Sequence, residues 1–318
     1  MLIDALQFIK PSRVIFEDMR ASGVDAVHMT VSYHEGLRDT IAALAEWNRL
    51  FALHGDLILR ATSAEDIDRA HATGRTAILF GTQNPAPIED DIGLVEICHQ
   101  LGLRFMQLSY NNQSLLCGGH AEPVDSGLTN FGHEVIAEMN RVGLVIDMSH
   151  SGDLSRRQAI DASARPIAIT HANPATWHDV TRNVQPGTLA ALAASGGMLG
   201  FSLYPLHLAG GSACTLDDFA QMVARTADAV GVACLGIGSD LCQDQPDSAV
   251  AWMRDGRWRK TRDAGAAFPD QPNWFRTNRD FPGIAAALGA VGFDADEVAG
   301  IMGDNWMRFL REALGPAT

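Results

Sequence analysis

No two of the five cysteines, Cys98, Cys117, Cys214, Cys234 and Cys242, form a CxxC pair. An odd count without close pairs excludes a disulfide framework and points to a reducing compartment, the cytoplasm. A basic excess is lacking too: 24 Lys and Arg stand against 38 Asp and Glu, a formal charge of −14, which argues against nucleic acid and anionic membranes as partners. Residues Met1 to Phe8 carry no basic stretch ahead of an apolar run, and nowhere does an apolar segment reach the ~20 residues that span a bilayer. Neither export nor anchoring is expected. Repeats, low-complexity tracts and linker-like composition are missing as well, so the 318 residues, 47% of them hydrophobic, read as one domain, 1–318, with enough chain for a full core.

What is present is alternation. Short apolar runs recur at Leu2–Ala5, Ala26–Val31, Ala77–Phe80, Phe105–Leu108, Val145–Met148, Ile167–Thr170, Met198–Ser202 and Leu235–Gly238, and each suits a strand. Amphipathic stretches lie between them, as at 91–101, 132–141 and 215–223, and glycines 102, 143, 196 and 231 stand where helices would stop. Eight such units predict an α/β fold of the (β/α)8 TIM-barrel class. A long loop insertion is expected at about 242–280, rich in Trp, Arg, Asp and Pro, placed where loops shape a pocket.

Two of the runs end in histidine: Leu144-Val-Ile-Asp-Met-Ser-His150 and Pro166-Ile-Ala-Ile-Thr-His171. The carboxyl ends of barrel strands collect ligands, and neutral imidazole is a common ligand for zinc-like ions, so the pair reads as half of a metal site. Cys117-Gly-Gly-His120 places a thiol and an imidazole on one loop, but no third group is available to orient a nucleophile.

With Asp147-Met-Ser-His150, Thr170-His171-Ala-Asn, Thr181-Arg182-Asn183-Val184, Gly236-Ile-Gly-Ser-Asp240 and Gly303-Asp-Asn-Trp-Met-Arg308 in that order, the chain resembles the membrane (renal) dipeptidase family of zinc peptidases. The resemblance implies a metal-dependent, amidohydrolase-like barrel, usually a homodimer, that hydrolyses dipeptides and related small amides. It implies two zinc ions, His150 and His171 serving the second. It also implies Asp240 as the proton shuttle and Arg182, with Asn183 beside it, as the site for a substrate carboxylate.

The first ion's ligands are replaced. Where the family reads like I-D-G-H-x-D, this chain has Ile3-Asp4-Ala5-Leu6-Gln7-Phe8, and Gln83 stands in place of the bridging glutamate. Leu6 and Phe8 cannot coordinate a cation. One zinc ion is therefore expected, held by His150, His171 and a third donor: Asp240 first, otherwise Gln83, Glu35 or His34. Tyr110 replaces the family histidine that assists the carbonyl oxygen, a task a phenol can also perform. The expected function is hydrolysis of an amide or related C–N bond in a small carboxylated metabolite or dipeptide. Two alternatives stay open: a two-metal dipeptidase with substituted ligands, and a metal-free binding descendant that keeps Arg182.

Overall fold

The structure is a computed structural model that describes residues 1–261 and 265–314. Among these described residues nine parallel strands run in chain order: β1 Ile3–Gln7, β2 Ala26–Ser32, β3 Ile58–Arg60, β4 Thr76–Thr82, β5 Leu103–Gln107, β6 Val145–Asp147, β7 Ala168–Ala172, β8 Met198–Phe201 and β9 Leu235–Ile237. Eight of them close a barrel, because β1 pairs with β2 and β9 while β2 also pairs with β4. This is the expected (β/α)8 barrel, and each apolar run falls on one of its staves.

The ninth strand, β3, was not expected. It pairs with residues 76–78 of β4, below the point where β5 takes over that edge at Phe80. Three residues are too few to show a periodicity of their own.

Packing explains why the other strands read as continuous apolar runs. Ile3, Ala5, Ala26, Leu79, Phe105 and Val145 point into the barrel and meet Trp306 from the closing helix Asn305–Leu314. Their strand neighbours Val27, Met29, Phe80, Met106, Ile146 and Leu199 join the layer shared with the outer helices. Both faces are buried, so alternation is lost. One helix stop shows its mechanism directly: Gly143, at φ 80, ends the helix Asn130–Val142 in the left-handed region, which glycine enters without a Cβ penalty.

Above the apolar floor the interior turns polar. On the same faces as Phe105, Val145 and Ala168 stand Gln107, Asp147 and Thr170, all fully buried. The barrel is tight at this height, since a Cβ on Gly238 would lie 1.6 Å from the carbonyl oxygen of Thr170 and one on Gly200 1.9 Å from it. Neither contact can be relieved by rotating a side chain. Gly238→Ala is expected to destabilise the fold by about 2–4 kcal/mol, read as a lower midpoint in thermal or denaturant unfolding; an unchanged midpoint would contradict this packing.

The segment expected as a loop insertion is partly helical, with a helix at Ser248–Asp255 and a 3-10 turn at Asn278–Asp280. Buried amides fasten it to the barrel. Asn278 accepts from Gln7 Nε2 (2.8 Å) and donates to Gln243 Oε1 (3.0 Å), and Gln7 also donates to Asp4 (2.7 Å). No helix among the described residues is long and apolar enough to cross a membrane.

Candidate active site

Asp147, at the end of β6, builds the site from below. Its buried carboxylate accepts from Ser149 N (3.0 Å), Ser149 Oγ (2.6 Å), Thr170 N (3.1 Å) and Thr170 Oγ1 (2.5 Å). Burial pushes its pKa up while these hydrogen bonds oppose the shift. Because the Thr170 hydroxyl donates to Asp147, its lone pair is left to accept from His171 Nδ1, 2.8 Å away. His150 Nδ1 likewise lies 2.7 Å from Asn111 Oδ1, an oxygen that also faces His120 Nε2 at 2.9 Å.

With both Nδ1 atoms engaged as donors, the two Nε2 atoms carry lone pairs, and they face each other at 3.0 Å. Burial, and then the charge of Arg182, push both imidazoles well below their ordinary pKa, so both are neutral. Two lone pairs at that distance repel unless a cation lies between them. Imidazole binds zinc at about 2.0–2.1 Å, so a pair with this spacing fits two ligands of one ion.

Two arginines gather the strand ends around the pair. The fully buried Arg156 donates to the carbonyls of Met148 (3.1 Å), Ser149 (2.8 Å), Arg182 (2.9 Å) and Asn183 (3.0 Å). Arg182 donates to the carbonyls of Ser149 and His171, and its buried Nε has no partner. Burial lowers the Arg182 pKa to about 10, which leaves it cationic at neutral pH. Asn183 is committed elsewhere. Its Oδ1 accepts from Asn173 N (3.1 Å) and its Nδ2 donates to the carbonyls of His178 (2.8 Å) and His207 (3.1 Å), so it braces loops and does not line the cavity.

That cavity, of about 270 Å³, brings together Gln83, Tyr110, His150, Arg182 and Asp240. Asp240 has left-handed backbone at φ 57, and its N–H donates to the carbonyl of Leu6 at 3.0 Å. It does not cap a helix. Burial pushes its carboxyl up to about 7 against the pull of Arg182, and Asp4 and Asp147 add to the rise. Tyr110 lies over His150 with ring centres 4.2 Å apart, and burial raises its hydroxyl well above the ordinary value, so it stays protonated and able to donate.

The end of β1, expected to be closed to an ion, is filled by apolar contacts. Leu6 is fully buried, and Phe8 begins an aromatic series: Phe8 on Tyr33 (4.9 Å), Tyr33 on Tyr110 (5.0 Å), Tyr110 on His150. Leu6 and Phe8 thus place carbon, and no donor atom, at the end of β1.

The candidates for a third donor differ in their surroundings. Among the described residues no three of His, Cys, Asp and Glu converge as a metal-binding group, so Asp240 does not complete a cluster with the histidines. It hangs from the end of β9, with β8 between it and β7. Glu35 is taken by Tyr33 N (2.6 Å) and Trp252 Nε1 (2.5 Å), and His34 by the carbonyl of Met253 (3.1 Å) and the amide of Asn84 (3.2 Å). Gln83 remains: its Nε2 donates to Thr30 Oγ1 (2.9 Å) and Tyr33 OH (3.1 Å), leaving Oε1 for the cavity that it lines.

Sequence reasoning missed several residues of the wall. His120, Asn111 and Tyr204 line it, as does His207, whose Nδ1 is 2.8 Å from Ser202 Oγ. Three come from loops and His207 from the short 3-10 turn Pro205–His207, where periodicity gives no signal; Cys117–His120 is the one of these segments that the sequence singles out. Cys117 itself is buried, with its thiol pushed up to about 11, and this leaves it unsuited to act as a nucleophile.

Known proteins share this architecture. A crystal structure of an amidohydrolase from Pseudomonas aeruginosa is 34% identical, with a TM-score of 0.94 over 99% of this chain and 97% of that one. A metallo peptidase from Rhodobacter sphaeroides, liganded with a phosphinate mimic of the dipeptide L-Ala-D-Ala, is 16% identical with a TM-score of 0.82, covering 98% of this chain and 99% of that one; at that identity the likeness bears on the fold. Among curated relatives, dipeptidase tcpJ of Claviceps purpurea is 27% identical over 291 residues, and dipeptidase aclJ of Aspergillus oryzae 24% identical over 283. Those matches take in 91% and 87% of this chain but 62% and 61% of the relatives, so the chain spans about three fifths of their length. The signature of the membrane dipeptidase family, peptidase family M19, matches residues 12–251, and the chain belongs to that family.

Proposed function

We propose that the protein is a dipeptidase-like hydrolase that cleaves an amide or related C–N bond in a small carboxylated substrate, using one zinc ion. The observation that carries this reading is the pair of neutral imidazoles whose Nε2 atoms face each other at 3.0 Å while both Nδ1 atoms are engaged. His150 and His171 would hold the ion, with Gln83 Oε1 as the neutral third donor. Such an ion, when bound, polarises a carbonyl and lowers the pKa of water.

The remaining roles follow from the side chains. Asp240, with a pKa near 7, can take a proton and return it to a leaving amine at neutral pH. Tyr110 can donate to the carbonyl oxygen as charge develops on it. Arg182 supplies positive charge at the cavity wall for a substrate carboxylate, while its two terminal nitrogens keep the strand ends in place.

The lack of a three-donor group among the described residues favours one second reading: a metal-free binding protein that retains Arg182. A two-metal enzyme has less support, since Leu6 and Phe8 offer the first position only carbon. Elemental analysis of protein purified without added metal separates the three. About one ion per chain, with turnover abolished by chelation, is expected; two ions would support the two-metal enzyme, and none, with ligand binding untouched by chelator, the binding protein. A homodimer in the cytoplasm belongs to the same proposal, supported by the family resemblance and the cysteine pattern, and light scattering checks the mass.

A further inference from the structure

The charges around the cavity are one-sided. Two guanidinium groups line it: Arg182 at its base and Arg254 from the helix Ser248–Asp255. Among the described lining residues Asp240 is the one acid. Of the acids close to lining residues, Glu35, Glu122, Asp179 and Asp255 do not line it. Glu35 is taken by Tyr33 and Trp252, and Glu122 by Asn112 and the backbone of Gln113. Much of the remaining wall is carbon, with Val250 and Met253 on the same helix as Arg254 and Leu206 and Val180 from two loops.

A free dipeptide brings two charges, an α-carboxylate and an α-ammonium. The carboxylate has cations to meet. The ammonium would lose water in a chamber with the buried cation Arg182, the exposed Arg254 and an apolar wall, and an unpaired charge removed from water is strongly disfavoured. Its one available partner would be Asp240. Pairing with an ammonium would hold that carboxylate ionised and remove it from proton transfer.

We infer that the preferred substrate is an amino acid whose nitrogen carries an apolar acyl group, an N-acyl amino acid without a free α-ammonium. This inference rests on the hydrolase reading above and specifies its substrate. The acyl part lies along Val250 and Met253, and the carboxylate lies with the arginines. Water adds OH to the acyl carbon as the C–N bond breaks, and its remaining hydrogen goes to the nitrogen. The products are an apolar carboxylic acid and the free amino acid, and no other co-reactant is needed.

Two compounds that differ only in the group at issue test this: Phe-Ala, and 3-phenylpropanoyl-alanine, which is the same molecule without the amino group. Each is assayed with both enantiomers of alanine on the zinc-loaded protein. The des-amino compound is expected to have a kcat/KM about tenfold or more above that of Phe-Ala, and an equal or better rate for Phe-Ala overturns the inference while leaving the hydrolase reading intact.

If neither compound is cleaved, the hydrolase reading is what fails. Titration calorimetry of both compounds into chelator-treated protein then decides recognition by itself: tighter binding of the des-amino compound upholds the charge argument, and equal or tighter binding of Phe-Ala overturns it. A variant narrows the preference. Met253→Glu puts an anion on the apolar wall and is expected to raise kcat/KM for Phe-Ala about tenfold relative to its des-amino partner; an unchanged ratio counts against this placement of the acyl group.

Discussion

Asp240→Asn lowers kcat by about 10²–10⁴-fold, the usual contribution of a positioned acid–base group, and at the same time makes the protein more stable above pH 7. Both effects come from the same burial. The folded chain keeps the Asp240 proton up to about pH 7, whereas an exposed aspartate releases it near 3.8. Between those values the native state binds more protons than the unfolded chain. Stability at this residue is therefore highest below about pH 4, declines as pH rises through that window, and reaches its full penalty above about 7. Asn carries no charge to bury, so the variant escapes a penalty on the order of 2–4 kcal/mol. Asn also tolerates the left-handed backbone at φ 57 better than Ala would. In the wild type, kcat/KM is expected to rise with pH through about 7 as the base ionises; in the variant that limb flattens. Rate–pH profiles and thermal unfolding above pH 7 measure the two effects. Full activity in the variant would remove Asp240 from the mechanism.

His150→Ala takes away one of two facing nitrogens and is expected to reduce the bound ion from about one per chain to none, with kcat/KM down by about 10³-fold or more. His171 alone gives the ion one nitrogen, and Gln83 gives at most a neutral oxygen. The fold should survive, because the apolar floor of the barrel lies below this level and Arg156 still fastens the end of β6 through the carbonyls of Met148 and Ser149. Elemental analysis, turnover and circular dichroism on one preparation check the three statements. Metal and turnover both retained would show that the facing imidazoles serve another purpose.

How much of this could be read from the residues depends on where each one sits. The strands were legible because a parallel barrel buries both faces of each stave, so every stave leaves an apolar run. Only β3 escaped, at three residues. His150, His171, Asp240 and Gln83 were legible because strand ends are points of known position in a barrel. Asn111, Tyr204 and His207 were not, because they reach the cavity on irregular loops and a three-residue 3-10 turn whose paths no local pattern encodes. The helix Ser248–Asp255, which supplies Val250, Met253 and Arg254 to the wall, was hidden inside a segment whose composition suggested a loop.

Asn183 and Asp240 show the limit most clearly. The family resemblance implies a role for both, but a resemblance reports a position along the chain and says nothing about which atoms a side chain will meet. Asn183 is saturated by Asn173, His178 and His207, whereas the carboxylate of Asp240 is left buried beside Arg182 with a pKa near 7.

The sequence by itself determined the barrel and the strand-end histidine pair, since these follow from residue type and spacing. Tertiary structure decided the rest: that both Nδ1 atoms are engaged so that two lone pairs converge, that Asp240 stays apart from them, and that the cavity carries two cations and one acid. Those are properties of distance between residues far apart in the chain, and burial turns each distance into a charge state.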